Sequence, residues 1–449
     1  MAELVMKYRQ YEEYKESGVE WLDVIPSHWV MSKIKYISPF QVGWTPPTGN
    51  DSNFIGENIW ANISDLRGKI ITDTVKRISD KAAEEASMEI TPKGSLLYIF
   101  KLSVGSVSFA GCDMYTNEAI ASFTSDSLLP LEYLYYVLPK FLIENASTNI
   151  YGARILNQEL IRNAIILKPT YEEAETIANF LDHETAQIDT LIKKQQTLIQ
   201  LLKEKRQAVI SHAVTKGLNP DASMKDSGVE WLGEVPEHWV VKKNKHLLEF
   251  VTSGSRGWAE YYSDEGKLFF RITNLTRDTI EPKLESIRNV NPPSGAEGER
   301  SKIKLNDLLI SITADLGSVC VADDSIAGGF VSQHVSLCRP NSSVKSARWL
   351  AYFILSDSAK EQFIGSGYGG TKIQLSLEDI RELSIAYPPK KEQEDIALYV
   401  DKKLEKFETL MNQAEQAIQL IQERRTALIS AAVTGKIDVR GWQGAEVEL

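Results

Sequence analysis

A glycine-rich segment in the second half of the chain has the residue types that hold phosphate groups. Gly365, Gly367 and Gly370 fit a dinucleotide-binding turn, but no strand–turn–helix pattern surrounds them and no acidic residue follows about 20 positions later. The spacing from Gly365 to Gly370 also fits a phosphate-binding loop. There, Thr371 stands where lysine is needed, and Lys372 comes too late to reach the terminal phosphates. The segment therefore favours a loop that approaches a partner's backbone closely over a nucleotide site.

Two further motifs are similar to motifs of methyltransferases. Phe363, Gly365 and Gly367 have the spacing of an adenosylmethionine-binding loop. Asn291 begins an Asn-Pro-Pro-Ser sequence, which is similar to the Asn-Pro-Pro-aromatic motif that holds a flipped base in amino-methyltransferases. Ser294 cannot stack on a base, so this segment is predicted to be a turn. The sequence also contains no set of carboxylates typical of nucleases and no ordered Ser/His/Asp group. It therefore indicates a protein that binds a target but catalyses no reaction itself.

Composition and charge limit the class of protein. The 449 residues are 43% hydrophobic and 25% charged, as in soluble globular proteins. No apolar run is long enough to span a bilayer, the charged start does not resemble a signal peptide, and three cysteines without a C-x-x-C pair indicate a reduced, cytoplasmic protein without a zinc site. The net charge is −11, yet residues 31–170 hold 13 basic and 14 acidic side chains and residues 241–390 hold 19 and 18. Charge alone therefore does not establish a polyanion partner.

An internal repeat divides the chain into two halves. Residues 17–30 read SGVEWLDVIPSHWV and return at 227–240 as SGVEWLGEVPEHWV, with ten of fourteen positions identical. Residues 204–215 return at 423–434 with eight of twelve identical. Similarity is high at the edges of each half and low in the middle, which predicts two copies that share a frame but differ in what they present.

Two long helices are predicted at residues 172–214 and 391–433. Neither stretch contains proline or glycine, and Pro169 and Pro388 precede them. Each helix would be roughly 65 Å long at ~1.5 Å per residue, too long for one small domain to cover, so we expect the two to pair. An amphipathic helix docked on its own domain is the alternative. Along each helix, apolar residues recur at alternating spacings of four and three, as in a coiled coil, and we call this stripe the seam. Its apolar members are Ile177, Leu181, Ile188, Leu191, Leu198, Leu202 and Val209 in the first helix, and Ile396, Val400, Phe407, Leu410, Ala414, Ala417, Ile421 and Leu428 in the second.

The middle segments, residues 31–170 and 241–390, have a mixed α+β pattern with Gly, Pro and Ser in their loops. Buried strands are predicted at 95–100 and 307–312, and short helices at 131–138 and 347–353. The repeated motif contains four tryptophans: Trp21, Trp29, Trp231 and Trp239. We expect their rings to pack the motif against the helix pair; contact with a partner subunit is the alternative.

Several of these segments together resemble the DNA-specificity subunit of Type I restriction-modification enzymes. The resemblance is carried, in order, by residues 18–29, their copy at 228–239, Gly-Gly-Thr at 369–371, PPKKEQ at 388–393 and ERRTALISAAVTGKIDV at 423–439. It covers nearly the whole chain. The first copy departs from it with Ala-Arg at 153–154 and with TYEEA at 170–174.

The resemblance implies an α+β protein with two tandem target-recognition domains, separated by two long helices that pair as an antiparallel coiled coil with pseudo-twofold symmetry. Each domain would read one half of a bipartite, asymmetric DNA site. The implied segments are a repeated N-terminal motif (1–30), target-recognition domain 1 (31–170), a central spacer helix (171–218), a linker with the second motif (219–240), target-recognition domain 2 (241–390), and a C-terminal spacer helix and tail (391–449).

The resemblance also implies partners. Two methyltransferase subunits would bind S-adenosylmethionine, and two restriction motor-nuclease subunits would use ATP and magnesium. The chain itself would be non-catalytic, with no cofactor or metal of its own.

Base reading requires hydrogen-bonding side chains on loops, with Arg suited to guanine and Asn or Gln to adenine. In the first domain we expect DNA contacts from Trp44, Thr45, Asn62, Arg67, Lys101, Asn117, Tyr151, Arg154 and Asn157. In the second we expect them from Ser255, Arg256, Arg271, Asn274, Arg277, Gln333, Tyr368, Lys372 and Gln374. The alternative for each is an ordinary solvated loop residue.

Two other functions stay open at this point. One is a coiled-coil scaffold that presents two protein-binding domains. The other is a methyltransferase built around the loop that begins at Phe363. Recovery of a methyltransferase partner would favour the specificity subunit, and adenosylmethionine binding by the isolated chain would favour the enzyme.

Overall fold

Two structural units make up the chain, each with sheets and helices. The computed structural model describes residues 8–148, 154–254, 256–292, 295–313, 315–365 and 374–444. The first unit consists of residues 1–194 with 417–449, and the second of residues 195–416. Each unit therefore contains one divergent middle segment and a part of both long helices.

The first unit has an α+β structure. Its strands are β1 (Tyr14–Glu16), β2 (Val24–Pro26), β3 (Val30–Lys33), β4 (Phe40–Val42), β5 (Asn58–Ala61), β6 (Ile70–Ile71), β7 (Arg77–Ile78), β8 (Leu96–Ile99), β9 (Val107–Ala110), β10 (Tyr115–Thr116), β11 (Ile120–Phe123), β12 (Ser147–Thr148), β13 (Arg154–Ile155) and β14 (Ile165–Lys168). Its helices are α1 (Asp80–Glu85), α2 (Leu131–Glu144), α3 (Gln158–Asn163) and the start of α4 (Tyr171–Lys216), with 3-10 turns at Ile34–Tyr36, Asp51–Phe54 and Ile63–Asp65.

The second unit repeats this order with variations. Its strands are β15 (Met224–Asp226), β16 (Glu234–Pro236), β17 (Val240–Lys243), β18 (Leu248–Ser253), β19 (Tyr262–Ser263), β20 (Lys267–Phe270), β21 (Asn289–Val290), β22 (Leu308–Ser311), β23 (Val319–Val321), β24 (Phe330–Val331), β25 (Val335–Pro340) and β26 (Ser384–Tyr387). Its helices are α5 (Ala296–Ser301), α6 (Ala347–Leu355), α7 (Asp357–Gly365), α8 (Leu377–Glu382) and the start of α9 (Lys390–Val433), with 3-10 turns at Asn244–His246, Trp258–Tyr261 and Ile272–Asn274.

The main sheets of the two units have matching strand order. The sheet of the first unit runs β4-β11-β8-β9-β6, and that of the second runs β18-β25-β22-β23. In β8, Leu96 and Tyr98 enter the core that contains α2, while Leu97 and Ile99 enter a second core on the opposite side. Both faces of this strand are therefore buried, which is why its sequence is an uninterrupted apolar run rather than an alternating pattern.

A glycine follows the first strand of each main sheet at a point of close backbone approach. A Cβ built on Gly43 would lie 1.8 Å from the carbonyl oxygen of Thr116, and one built on Gly254 would lie 1.8 Å from that of Val331. No side chain fits at either position. The close approach brings the loop after β4 against the end of β10, and the loop after β18 against the end of β24.

The long helices are continuous, and segments of both pack antiparallel in each unit. In the first unit, Leu428 near the end of α9 shares a core with Ile177 and Leu181 near the start of α4. In the second unit, Ile210 near the end of α4 shares a core with Ile396 near the start of α9.

The seam is not buried along its whole length. Leu191, Leu198 and Leu410, near the middle of the helices, are 47%, 43% and 47% exposed. A two-helix contact covers only a narrow strip of each helix. Towards the helix ends the domain cores add a second layer of apolar side chains, and there Ile177, Ile396 and Leu428 are fully buried. Val209, predicted in the seam, is only partly buried, and its neighbour Ile210 enters the core instead.

Candidate nucleic-acid interface

The His-Trp pair of the repeated motif anchors it to the first turn of a long helix. The Nε1 of Trp29 donates to Glu173 on α4 at 3.0 Å, and the Nε1 of Trp239 donates to Glu392 on α9 at 2.9 Å. Both indoles are fully buried, as the anchor interpretation predicts. The ring stays partly accessible in the other two tryptophans of the repeat, Trp21 and Trp231. The repeated motif is thereby tied to the start of the long helix that follows each middle segment.

In the first unit, four chain segments meet at one end of the main sheet. Trp44 N donates to the carbonyl of Thr116, Asn117 N to that of Ala61, and Phe100 N to that of Ala119. We call residues 43–45, 62, 101–102 and 117–118 the first loop end. Five of the residues predicted from sequence come together there: Trp44, Thr45, Asn62, Lys101 and Asn117.

These five side chains differ in exposure and in how far hydrogen bonds within the protein already engage them. Trp44 is 53% exposed, and Lys101 is exposed next to Leu102, which is 87% exposed. Thr45 donates to the Glu118 carboxylate. The two asparagines serve the fold: the Oδ1 of Asn62 caps the following 3-10 turn, and that of Asn117 accepts from the Ala119 N–H at 3.1 Å.

The other predicted residues of the first unit lie elsewhere. The Nε of Arg67 donates to the carbonyl of Ser64 at 2.8 Å, and Arg67 lines a cavity of about 570 Å³ beside α4. The guanidinium of Arg154 lies 3.2 Å from the Glu144 carboxylate. Asn157 caps α3 through the N–H of Leu160. Tyr151 lies outside the described residues.

In the second unit, the equivalent segments meet in the same way. Ser332 N donates to the carbonyl of Phe270 at 2.8 Å, and Ile312 N to that of His334 at 3.1 Å. We call residues 254, 256–257, 271, 313 and 332–334 the second loop end. Gln374 joins it through a backbone bridge to Thr313. The structure therefore gathers four predicted residues: Arg256, Arg271, Gln333 and Gln374.

Two predicted residues of the second unit serve the fold instead. Asn274 is fully buried, and its amide donates to the carbonyls of Lys283 and Ser286 at 2.8 and 3.1 Å. Arg277 forms an ion pair with Asp315. Ser255, Tyr368 and Lys372 lie outside the described residues, as does most of the glycine-rich segment after Gly365.

Comparison with known proteins shows the family. A family model described as "Type I restriction modification DNA specificity domain" matches residues 26–201 and 236–420, so both halves of the chain match it. The chain belongs to the Type I restriction-modification DNA specificity domain family.

Relatives of this specificity-domain protein extend over its full length. It is 25% identical over 445 residues to the Type I restriction enzyme MjaIX specificity subunit of Methanocaldococcus jannaschii, covering 97% of this chain and 99% of that protein. It is 22% identical to the Type I restriction enzyme EcoKI specificity subunit of Escherichia coli K12, covering 95% and 92%. Both relatives align with nearly the whole chain, and DNA specificity is the function that the family description names.

Two solved structures share the fold. The HsdS subunit of Thermoanaerobacter tengcongensis matches with a TM-score of 0.54 at 14% identity, over 94% of this chain and all of that one. A chain from a structure of a type I R-M system, solved to explain complex assembly and conformational transition, matches with a TM-score of 0.69 at 14% identity, over 91% and 98%. At this identity the likeness concerns the fold alone.

Two of the three thiols of the specificity-domain protein, Cys320 and Cys338, are buried. Burial raises the pKa of Cys338 to about 12, and burial also raises that of Cys320 well above its usual value. Both are poor nucleophiles at neutral pH.

Among the described residues, no group of His, Cys, Asp and Glu could hold a metal ion, and no helix is long and apolar enough to cross a membrane.

Sequence reasoning missed side chains at both loop ends. Trp258, Tyr262 and His334 line a cavity at the second, and Leu102 projects from the first. Their position in the sequence is one signal that could have found two of them, because Leu102 follows Lys101 and His334 follows Gln333, which are both predicted DNA contacts. Burial and orientation of the rings depend on strand pairing, which single residues do not reveal.

Proposed function

We propose that this chain reads a bipartite, asymmetric DNA site, with one half-site contacted by each loop end. The observation that carries the proposal is the combination of a repeated frame with unlike loop ends. Gly43 and Gly254 hold the same close backbone approach, but the side chains around them differ: the exposed Trp44 and Lys101 in one unit, the exposed Arg256 and the partly exposed Gln333 in the other. Two copies of one frame with different reading side chains suit two different half-sites.

The proposed contacts are the predicted side chains that the fold leaves accessible. They are Trp44, Lys101, Arg256, Arg271, Gln333 and Gln374. Asn117 and Asn274 are excluded from this set because their amides already bond to the backbone. Arg154, Asn157 and Arg277 rank lower, because ion pairs and a helix cap engage them in the DNA-free chain. The remaining predicted residues stay candidates.

We further propose that the chain acts in the cytoplasm as the non-catalytic subunit of a complex with two methyltransferase and two restriction motor-nuclease subunits. S-adenosylmethionine, ATP and magnesium would then bind to the partners. The near-neutral middle segments support this, because a reader that bound DNA alone would need a cationic surface for the phosphates. Partner subunits would supply that part of the affinity.

Genome-wide mapping of methylated adenines tests the proposal. Cells that express the chain with its methyltransferase subunit should carry methylation at one two-part, asymmetric motif, and cells that lack the chain should not. Methylation without a defined motif, or a motif that persists without the chain, would refute it. Tight adenosylmethionine binding by the isolated chain would support the methyltransferase alternative instead.

A further inference from the structure

A cavity of about 290 Å³ opens at the second loop end. Aromatic, cationic and amide side chains share its lining, which includes Trp258, Tyr262, Phe269, Arg271, Gln333 and His334. It lies where β20 and β24 end side by side, in the parallel register that pairs Phe269 with Phe330. The cavity therefore belongs to the surface proposed to face the DNA.

Aromatic rings form the wall of this cavity. Trp258 and Phe269 stack at 6.1 Å with an interplanar angle of 24°, and each is only 5% exposed. Tyr262 stands at the rim, 45% exposed, with its ring 5.8 Å from that of Phe269. Rings at these positions exclude water from one side of the cavity, which strengthens a hydrogen bond formed beside them.

Arg271 occupies the position that Asn62 has in the first unit, directly after a strand and before a 3-10 turn. The Oδ1 of Asn62 accepts from the N–H and the hydroxyl of Ser64 at 2.7 and 2.6 Å, so this side chain is occupied by its own turn. The Nη2 of Arg271 bonds the carbonyl and hydroxyl of Ser286 at 3.1 and 3.2 Å. Its Nε is buried and has no hydrogen-bond partner among the described residues.

A guanidinium that Ser286 holds in place at the wall of an open cavity is suited to a fixed, planar ligand. Arginine recognises guanine by donating two parallel hydrogen bonds to O6 and N7 in the major groove. A phosphate contact requires no aromatic wall, and the exposed Arg256 at the same loop end is better placed for one. The recessed position of Arg271 therefore favours a base edge over the backbone.

We propose that Arg271 is a specificity-determining residue that reads one guanine of the half-site contacted by the second unit. The proposal rests on the proposed function. Trp258 and Phe269 shield the two hydrogen bonds from water, and the Ser286 contact orients the guanidinium before the DNA binds. The residue at this one position would then decide whether a G·C pair is required in the site.

The first test leaves the protein unchanged. The complete complex binds duplexes that carry its mapped methylation site, with each guanine replaced in turn by 7-deazaguanine, which lacks the N7 acceptor. One replacement should weaken binding by about 10-fold or more, as for loss of part of a bidentate contact. A site whose two halves lack guanine, or equal affinity for every modified duplex, would overturn the assignment.

The second test identifies the protein side of the contact. Arg271→Ala should lose roughly 10- to 100-fold in affinity for the site, become indifferent to the sensitive 7-deazaguanine, and relax one position of the methylation motif. Arg271→Lys should resemble Arg271→Ala, because a point charge cannot reproduce the planar pair of donors. Lys267→Ala, a cation at the other end of β20, is the matched control and should leave the motif unchanged.

The outcomes separate the two proposals. Uniform weakening by Arg271→Ala over all sequences would reassign Arg271 to a phosphate and refute guanine reading, while the two-part motif of the wild-type complex would still stand. A wild-type complex without any sequence motif would refute the proposed function itself. Circular dichroism and thermal unfolding of each variant exclude a folding defect as the cause of lost binding.

Discussion

The indole Nε1 of Trp29 donates a 3.0 Å hydrogen bond to the carboxylate of Glu173, in the first turn of α4. Trp239 and Glu392 repeat this bond at the start of α9. The surroundings differ, because the Glu173 side chain is 4% exposed and also accepts from Tyr11 at 2.8 Å, whereas that of Glu392 is 36% exposed. The same anchor is therefore sealed from water in the first unit and partly open to it in the second.

Glu173→Gln should destabilise the first unit by about 1–3 kcal/mol. The amide oxygen can still accept from Trp29 and Tyr11, but it lacks the charge that strengthens these hydrogen bonds, and the NH2 would replace the carboxylate oxygen that faces the Nε2 of His28 at 2.8 Å. Glu392→Gln is the matched control and should have a smaller effect, since water reaches that carboxylate. Urea unfolding followed by tryptophan fluorescence, with hydrogen exchange to localise the change, measures both. Equal losses in the two variants would show that burial does not distinguish the two anchors.

Gly43→Ala should destabilise the first unit by at least about 1–3 kcal/mol, because the added Cβ would lie 1.8 Å from the Thr116 carbonyl oxygen and would force the loop away from β10. Gly49→Ala in the same loop has open space around it and should change stability by no more than about 0.5 kcal/mol. Methylation mapping should show that Gly43→Ala impairs only one half of the motif. A stable variant with unchanged reading of both halves would contradict this role.

Asp278→Asn should reduce stability at neutral pH and lose its effect in acid. The hydrogen bond from Arg206, 2.8 Å long, holds the pKa of the Asp278 carboxyl below its usual value. A pKa that is lower in the folded state stabilises the protein above the unfolded-state pKa, and this contribution disappears as the pH falls through the folded-state pKa. Since the Asp278 side chain is 66% exposed, the loss at pH 7 should be below about 1 kcal/mol.

Urea unfolding across the pH range measures this effect. In an Arg206→Met background, Asp278→Asn should have a smaller effect, because only Lys203 and Thr276 then remain to lower the pKa of Asp278. A deficit of Asp278→Asn that does not shrink as the pH falls below the usual aspartate pKa of about 4 would show that charge is not its cause.

A fragment of residues 1–220 should form a twofold-symmetric dimer. The core of the first unit includes Leu428, Ala431 and Val433 of α9, which the fragment lacks. Residues 209–214 of α4 are the repeat of this sequence, so a second copy of the fragment can restore the apolar contact, at about 25 cal/mol per Å² buried.

Sedimentation measures the association of the fragment. Methylome mapping with the methyltransferase subunit should reveal a palindrome made from the first half-site. A folded monomer, or a dimer that still reads the asymmetric site, would show that the halves are not interchangeable.

The repeat, the long helices and the buried strands could be predicted from the sequence because each depends on a local or periodic pattern. The helix predicted at 391–433 is observed as Lys390–Val433, and the apolar run at 307–312 contains β22, Leu308–Ser311. In the long helix, apolar residues recur at helical spacing and neither Gly nor Pro interrupts the backbone hydrogen bonds. In the strand, a short continuous apolar run is buried on both faces, where the backbone must pair with neighbouring strands. The order of the repeated motifs was sufficient for the resemblance to the family.

Only the tertiary structure decided which loop side chains are left to meet a partner. Asn274 and Arg271 are three residues apart and were equally good candidates, yet the amide of Asn274 bonds to Lys283 and Ser286, while Arg271 lines an open cavity. Arg277 is likewise engaged by Asp315, 38 positions away. A side chain's availability depends on partners that strand pairing brings close, and hydrogen-bonding capacity used within the fold is no longer available to DNA.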